Sequence, residues 1–262
     1  MTSNEVGTMF RQGRLGDAIK AAGQFVQRNP TDAGQRMLLA ELLLFTGEFE
    51  RADAVIVAAE AVEPNAALAV AEFRQLLRAA MARRQLVSDG RLPEFLGEPT
   101  PVQRTILQAL VALNAGDRNA ATEAAAAAEA IRPTVPGIAD GSAFDDFRDA
   151  DDLCSGSIEV LTTTGKYFWI PAERVVSMEL HPPKRPRDLF WRRCTMSVRD
   201  GPDGDVYLPV LYEISAGADD SLRLGRGTEW SNTTPVIGRG QRVFLVGNEG
   251  IPITQLQSLE FA

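Results

Sequence analysis

The chain has 262 residues, of which 45% are apolar, enough for one large or two ordinary hydrophobic cores. Its net charge of −8 argues against a nucleic-acid-binding protein, because contacts to phosphates need a dense positive field. No segment approaches the roughly 18 apolar residues of a membrane-spanning helix or resembles a signal peptide, and the two cysteines suit a reducing compartment. We therefore expect a soluble cytoplasmic protein without membrane insertion.

The first half of the chain carries one pattern three times. Gly13, Gly47 and Gly116 are each followed by an Ala five residues later and by a Pro seventeen residues later. The steps between the glycines are 34 and 69 residues, which correspond to one and about two periods of a tetratricopeptide-like repeat. The Gly allows a tight turn between two helices, the Ala lets them approach, and the Pro follows the second helix. The pattern predicts antiparallel helix pairs over residues 3–131, within a helical domain of residues 1–135.

A stack of such helix pairs forms a concave surface that commonly binds a peptide or a helix. On the helix predicted for residues 33–46, Arg36 and Glu41 are expected on the outer face as contacts at the rim of this surface. A longer helix is predicted over residues 66–87, with Leu68 among its inward-facing side chains.

Residues 136–156 contain six Asp and one Arg. A calcium-binding loop would need a central Gly and a closing Glu among these carboxylates, and the segment has neither at the required positions. The sequence favours a solvated acidic connector, with Phe144 and Phe147 as its buried anchors.

Residues 157–262 are rich in β-forming residues separated by turns. Gly201-Pro202-Asp203-Gly204 is predicted to join two strands as a hairpin. The expected fold class is α+β, with the helical repeats followed by a small, mostly antiparallel β barrel or sandwich domain. Strands are predicted near residues 157–163, 166–170, 174–181, 189–199, 205–212, 242–247 and 253–261.

The sequence offers little support for catalysis. The one histidine, His181, precedes two prolines, and no Gly-x-Ser-x-Gly nucleophile motif occurs. Cys154 has no basic partner nearby in the sequence that would activate a thiolate. Gly225-Arg226-Gly227 is not followed by a helical sequence, as a phosphate-binding loop would be, and is interpreted as a turn between strands. We expect no enzymatic activity, no metal and no cofactor.

The C-terminal half also contains one dense basic run and most of the aromatic residues. The basic run is interpreted as a solvated loop that partly neutralises the acidic connector, with an acidic protein partner as the alternative. Most of the aromatic side chains are expected in the core, and any exposed one would be a candidate binding anchor. The basic residues are Lys184, Arg185, Arg187, Arg192 and Arg193, and the aromatic ones Tyr167, Phe168, Trp169, Phe190, Trp191 and Trp230.

Several motifs occur in order along the chain: Tyr167-Phe168-Trp169-Ile170-Pro171, Arg187-Asp188-Leu189-Phe190-Trp191, Leu208-Pro209-Val210-Leu211-Tyr212, and the segment 222–230. In this combination the sequence resembles the ImpE family, also called TagJ or SciE, of bacterial type VI secretion accessory proteins. The resemblance implies a non-enzymatic cytoplasmic factor. It implies binding to a helix of the contractile sheath's small subunit, and assistance in sheath assembly or in recycling linked to the ClpV unfoldase.

Two surfaces could bind such a helix. The β domain is slightly preferred, because the residues that carry the resemblance concentrate there; the competing surface is the helical groove with Arg36 and Glu41. The alternative function is a hydrolase or small-ligand sensor that uses the β domain, with the helices as an oligomerisation arm. The contact candidates of the β domain are Trp169, Arg187, Trp191, Arg226 and Trp230.

Overall fold

The order of helices and strands follows the α+β expectation. The computed structural model describes residues 3–213 and 218–262. Within this part of the chain, seven α-helices precede thirteen short strands, and one further short α-helix lies between the strands. The helices are α1 (Ser3–Arg11), α2 (Leu15–Arg28), α3 (Ala33–Leu44), α4 (Phe49–Val62), α5 (Ala67–Asp89), α6 (Pro101–Asn114), α7 (Arg118–Ile131) and α8 (Asp220–Arg223). The strands are β1 (Gly137–Ala139), β2 (Ser142–Phe144), β3 (Phe147–Asp149), β4 (Ser157–Leu161), β5 (Tyr167–Pro171), β6 (Val175–Leu180), β7 (Trp191–Val198), β8 (Gly204–Pro209), β9 (Thr228–Trp230), β10 (Gly238–Gly240), β11 (Val243–Val246), β12 (Glu249–Pro252) and β13 (Ser258–Phe261).

The three repeated glycines stand at the turns between paired helices. Gly13, Gly47 and Gly116 have φ values of +84°, +73° and +78°, a conformation that side chains disfavour and glycine tolerates. Helix α1 packs against α2, α3 against α4, and α6 against α7, which confirms the predicted pairs. The alanines of the pattern, Ala18, Ala52 and Ala121, are fully buried.

Ala52→Leu should lower the free energy of unfolding by about 1–3 kcal/mol, because Ala52 lies fully buried in the packed α3–α4 pair and a larger side chain would overpack it. Ala54, exposed on the same helix, is the matched control, and Ala54→Leu should change stability by less than about 0.5 kcal/mol. Urea unfolding followed by circular dichroism measures both. Equal stability of the two variants would contradict the close packing at Ala52.

Helix α5 connects the helical half to the sheet. It ends at Gly90, which caps the helix with φ +69°, close to the predicted end. Its buried residues begin at Val70, and it packs against β4 and β5. Leu68 was expected to face inward but is 83% exposed, because the first turn of the helix lies outside its packed part.

Eight strands form one antiparallel sheet, in the order β2-β1-β13-β6-β7-β8-β4-β5. Two smaller sheets, β12-β11-β3 and β10-β9, accompany it. In the part of the chain described, the end strands β2 and β5 do not pair with each other, so the sheets form a sandwich-like arrangement and not a closed barrel. The predicted hairpin at Gly201–Gly204 joins β7 to β8 as expected.

The acidic segment 136–156 is more ordered than a solvated connector. It contains β1, β2 and β3, and two of its carboxylates, Asp149 and Asp151, are only 2% and 4% exposed. Asp149 pairs with a buried arginine, and Asp151 accepts the backbone N–H groups of Leu153 and Gly238, each at 2.8 Å. The expectation of solvated carboxylates is therefore wrong for these two residues, because both have internal partners.

The helices and the strands share one hydrophobic cluster. The ring of Phe73 on α5 lies 5.6 Å from that of Trp191 on β7, and the Phe45 ring after α3 lies 5.3 Å from that of Phe190. The division into domains at residues 1–135 and 157–262 stays a prediction. None of the helices within residues 3–213 and 218–262 combines the length and the apolar character needed to cross a bilayer.

Candidate partner-binding site

A buried arginine organises the charged groups where the sheets meet. Arg242, just before β11, has its guanidinium fully inside the protein. Its two terminal nitrogens donate to the carboxylates of Asp149 and Glu159, and its Nε donates to the carbonyl oxygen of Pro209 at 3.1 Å. Two buried carboxylates thus share one buried cation, so the group is held in one geometry.

Glu159 extends this network to the helices. Its carboxylate also accepts hydrogen bonds from Nε and Nη2 of Arg83 on α5, at 2.8 and 3.0 Å, and from the hydroxyl of Tyr167. Burial would raise the pKa of Glu159, but the charges of Arg83 and Arg242 outweigh it and hold that pKa well below its ordinary value. Glu159 therefore remains ionised and ties α5 to β4.

A cavity of about 480 Å³, which we call the junction cavity, is lined in part by Arg83, Glu159 and Tyr167 of this network. Helices α5 and α6 form one wall, and residues of the strands and their loops form the other. Val87, at its edge, is 44% exposed. This size falls within the usual range of binding pockets. Its apolar lining includes Leu86, Val87, Leu110, Leu113, Leu153, Trp169 and Ile237.

A second cavity of about 320 Å³ adjoins the first, and we call it the aromatic cavity. The two cavities share four lining residues, so they are neighbours along one groove between helices and sheet. Arg84 stands between them, donating to the carbonyl oxygen of Gly47 at 3.1 Å and lying 4.0 Å from the centre of the Phe49 ring. The shared residues are Arg83, Arg84, Tyr212 and Glu213, and the aromatic lining of the second cavity is Phe45, Phe49, Phe190, Trp191 and Tyr212.

Burial raises the pKa of three titratable groups that line the junction cavity. Burial, and then the charge of Glu159, raise the pKa of both the Cys154 thiol and the Tyr167 hydroxyl well above their ordinary values. Burial and the charge of Asp149 raise the pKa of Asp151 to about 7, but both its oxygens accept backbone N–H groups. Asp151 thereby joins its own loop to β10.

The histidine, the second cysteine and the glycine-rich segment 225–227 do not line the junction cavity. The His181 Nε2 lies 2.8 Å from the Thr195 hydroxyl oxygen. Burial raises the pKa of the Cys194 thiol to about 12. Gly225, with φ +63°, follows the short helix α8 and leads towards β9, so the chain order is opposite to that of a phosphate-binding loop.

The predicted contact residues of the β domain do not form one surface. Trp169 and Trp191 are 2% and 1% exposed, and each lines one of the two cavities. Arg187 is 3% exposed and donates to the Glu72 carboxylate. These three side chains therefore do not stand on an open surface, and a role for them in partner binding stays a prediction.

Arg226 and Trp230 are exposed, and they differ in their contacts. The Nη2 of Arg226 donates to the carbonyl oxygens of Phe10 and Arg11 at 3.1 and 2.6 Å, and so caps the C-terminal end of α1. Trp230 is 39% exposed, with its ring 5.8 Å from that of Tyr212. A partner-binding role for Trp230 stays a prediction.

The two candidates on α3 also differ from expectation. Arg36 is half-buried and donates to the carbonyl oxygen of Pro30 at 2.7 Å. Glu41 was expected on the outer face but is 3% exposed, because the 3₁₀ helix Pro186–Leu189 packs on α3. Burial raises its pKa to about 7, although Arg185, whose Nε lies 3.9 Å away, lowers it.

Glu41→Gln should make the protein more stable at alkaline pH. The pKa of Glu41 rises on folding from 4.5 to about 7, so the folded state holds the proton on Glu41 more tightly than the unfolded state does. The stabilisation that results is fully present below pH 4.5 and is lost as the pH rises through 7. At about 1.4 kcal/mol per pKa unit, the free energy of unfolding of the variant should exceed that of the wild type by up to about 3 kcal/mol at pH 8, and by much less at pH 5. Urea unfolding at both pH values, with Glu50→Gln on the exposed face of α4 as control, measures this. A difference independent of pH would contradict it.

Sequence reasoning missed the groove and its charged floor. Glu159 is the one charged residue within β4, whose five residues are all buried, and an isolated charge in such a strand signals a buried ion pair. Its partners Arg83 and Arg242 lie 76 and 83 residues away along the chain, a pairing that no local pattern indicates.

The chain is similar to known proteins over nearly its whole length. The family model described as "ImpE protein" matches residues 141–260. The chain is 30% identical over 255 residues to the type VI secretion system accessory component TagJ of Pseudomonas aeruginosa PAO1, covering 97% of this chain and 89% of that protein. Its fold matches the crystal structure of protein VPA1032 from Vibrio parahaemolyticus with a TM-score of 0.91 and 26% identity, covering 98% of this chain and 97% of that one. The chain therefore belongs to the ImpE/TagJ family of type VI secretion system accessory proteins.

Proposed function

We propose that this protein is a non-catalytic accessory factor of a type VI secretion system that binds an amphipathic helix of the sheath's small subunit. The helix docks in the groove formed by the junction cavity and the aromatic cavity. In the cytoplasm, this binding assists sheath assembly or recycling linked to the ClpV unfoldase. The observation that carries the proposal is the apolar junction cavity between α5, α6 and the strands.

The shape of the groove suits a helix. An amphipathic helix inserts apolar side chains at positions i, i+3, i+4 and i+7 into a hydrophobic groove, and two adjoining cavities offer separate sockets for such anchors. The position of the groove revises our preference for the β domain. It lies between the helices and the strands, and Trp169 and Trp191 contribute to its walls instead of to an open face.

Similarity to TagJ supports the secretion role, since that protein is described as an accessory component. The pKa directions support the absence of chemistry, because Cys154 and Tyr167 are held protonated at neutral pH and Glu159 is held in ion pairs. A nucleophile at Cys154 or Tyr167 would need the deprotonated form, and Asp151, whose pKa is about 7, has both oxygens occupied by backbone N–H groups.

A small-ligand sensor is the second candidate, because polar groups do converge at the floor of the junction cavity. Among the residues that the structure describes, however, the buried side-chain nitrogen and oxygen atoms without a hydrogen-bond partner belong to Gln35, Arg187 and Arg192, which lie outside this cavity. The polar groups of the floor are satisfied internally, and the accessible lining is apolar. A helix with apolar anchors fits this lining better than a polar metabolite does.

The test titrates a labelled peptide, the helix of the sheath's small subunit, into the full-length protein. Val87→Asp puts a charge at the cavity's edge and should weaken binding at least tenfold. Val57→Asp is the matched control, because Val57 is a helical valine of similar exposure, 39% against 44%, outside both cavities. It should bind within twofold of the wild type. Equal affinities of the two variants, or no binding by the wild type, would overturn the proposal.

A further inference from the structure

A second cleft, of about 690 Å³, lies apart from the groove and shares no lining residue with the junction cavity or the aromatic cavity. The loop between β6 and β7 forms one side of it, and the start of α5 with residues of β7 and β8 forms the other. Four basic side chains line it: Lys184, Arg185, Arg187 and Arg193. We call it the cationic cleft.

Arg187 is the most unusual member of this group. It is 3% exposed, yet of its five N–H donors only Nη2 has a hydrogen-bond acceptor in the described chain, the Glu72 carboxylate. Its Nε is buried without a hydrogen-bond partner, and lies 3.9 Å from a carboxylate oxygen of Asp188. A buried guanidinium with unmatched donors costs free energy, and an incoming carboxylate would reduce that cost by matching its planar fork.

The carboxylates that line the cleft are already engaged. Glu72 accepts from Arg187 and from the hydroxyl of Tyr207 at 3.0 Å. Asp188 accepts the backbone N–H groups of Lys184 and Arg185 at 2.8 and 3.2 Å, and Asp205 pairs with Arg193 at 2.5 Å.

The cations outnumber these carboxylates. Four cations face three carboxylates in the lining of the cleft. Lys184 has no ion pair among the residues that the structure describes, and Arg185 has only pairs at 3.8 and 3.9 Å, with Asp188 and Glu41. The positive charge of Lys184 and the N–H donors of Arg185 are therefore available to an anionic ligand.

We propose that the cationic cleft binds an acidic peptide segment that carries at least two carboxylates. The cleft is far larger than a single small anion needs, and its cations stand on separate elements, the 181–189 loop and β7. That spacing suits carboxylates distributed along a chain. The guanidinium forks of Arg185 and Arg187 recognise carboxylates in a bidentate manner, which adds geometric specificity to the charge.

The test measures the fluorescence anisotropy of a labelled peptide with four glutamates, titrated into the full-length protein at low salt. The double variant Lys184→Gln, Arg185→Gln should weaken binding at least tenfold. Lys20→Gln, on the exposed face of α2, is the matched control and should bind within twofold of the wild type. Glu72→Gln should tighten binding at least threefold, because it removes a competing carboxylate from Arg187, and unfolding cannot imitate such a gain.

Three results would overturn this proposal: equal binding by the double variant and the wild type, equal binding of a peptide with four glutamines, or competition by inorganic phosphate at the same concentration as the peptide. The last would indicate a simple ion site. None of these results bears on helix binding in the groove, which Val87→Asp tests separately.

Discussion

Arg242→Leu should lower the free energy of unfolding by about 3–5 kcal/mol, because it would leave two buried carboxylates without their shared cation. Asp149 and Glu159 are 2% and 5% exposed, so water cannot replace the guanidinium. Asp149 keeps the Tyr212 hydroxyl at 2.7 Å, and Glu159 keeps Arg83, so Asp149 should suffer the larger loss. Its remaining partners carry no full positive charge.

The measurement is urea unfolding at pH 7, followed by circular dichroism. Arg239→Leu is the matched control, because Arg239 lies three residues earlier, is exposed, and has no ion pair within the described residues. It should stay within about 0.5 kcal/mol of the wild type. Arg242→Lys should fall between them, since one ammonium group cannot reproduce the forked contacts to both carboxylates and to the Pro209 carbonyl. If Arg242→Leu unfolds like Arg239→Leu, the network contributes nothing to stability.

The helical half could be predicted because its determinants are local. A glycine at a left-handed turn, an alanine where helices approach and a proline after the second helix act within a few residues of each other. Gly47, Ala52 and Pro64 illustrate this, and the structure places each where the 34-residue pattern indicates. The hairpin between β7 and β8 is local in the same sense.

The floor of the groove could not be predicted because its determinants are distant in sequence. Residues from α5, β4 and the approach to β11 meet there, and only the folded chain brings Arg83, Glu159 and Arg242 together. The same reason explains the error on the acidic segment. Composition alone indicates solvation, whereas Asp149 finds a partner 93 residues later.

The resemblance to the ImpE/TagJ family is confirmed, but it does not assign a role to each residue of the shared motifs. Arg226 belongs to a motif that carries the resemblance, yet its guanidinium caps α1 some 215 residues earlier in the chain. Trp169 donates its indole N–H to the hydroxyl of Tyr167 at 2.6 Å, and that hydroxyl donates to the Glu159 carboxylate. Two motif residues thus hold Glu159 in place. Residues shared with a family for packing and for binding look alike in a sequence.

Trp191→Ala should destabilise the protein by about 3–5 kcal/mol, the usual cost of truncating a buried large aromatic side chain. Trp191 is 1% exposed, and its ring lies 5.6 Å from that of Phe73 on α5 and 5.5 Å from that of Phe190. It therefore links the helices to the sheet within the shared core. Trp191→Phe should lose less, because a ring still faces Phe73.

The way in which Trp191→Ala unfolds also tests the proposed division into domains. The hydrophobic cluster runs through helices and strands. The unfolding transition followed by helical circular dichroism and that followed by the fluorescence of the remaining tryptophans, Trp169 on β5 and Trp230 on β9, should therefore shift together. Trp230→Ala, at a 39% exposed position, is the control and should shift both signals by less than about 1 kcal/mol. If the fluorescence transition of Trp191→Ala moves while the helical transition stays, residues 1–135 and 157–262 fold as independent units. A joint shift means instead that the groove between them is part of a single cooperative core, so a helix bound there would stabilise both halves at once.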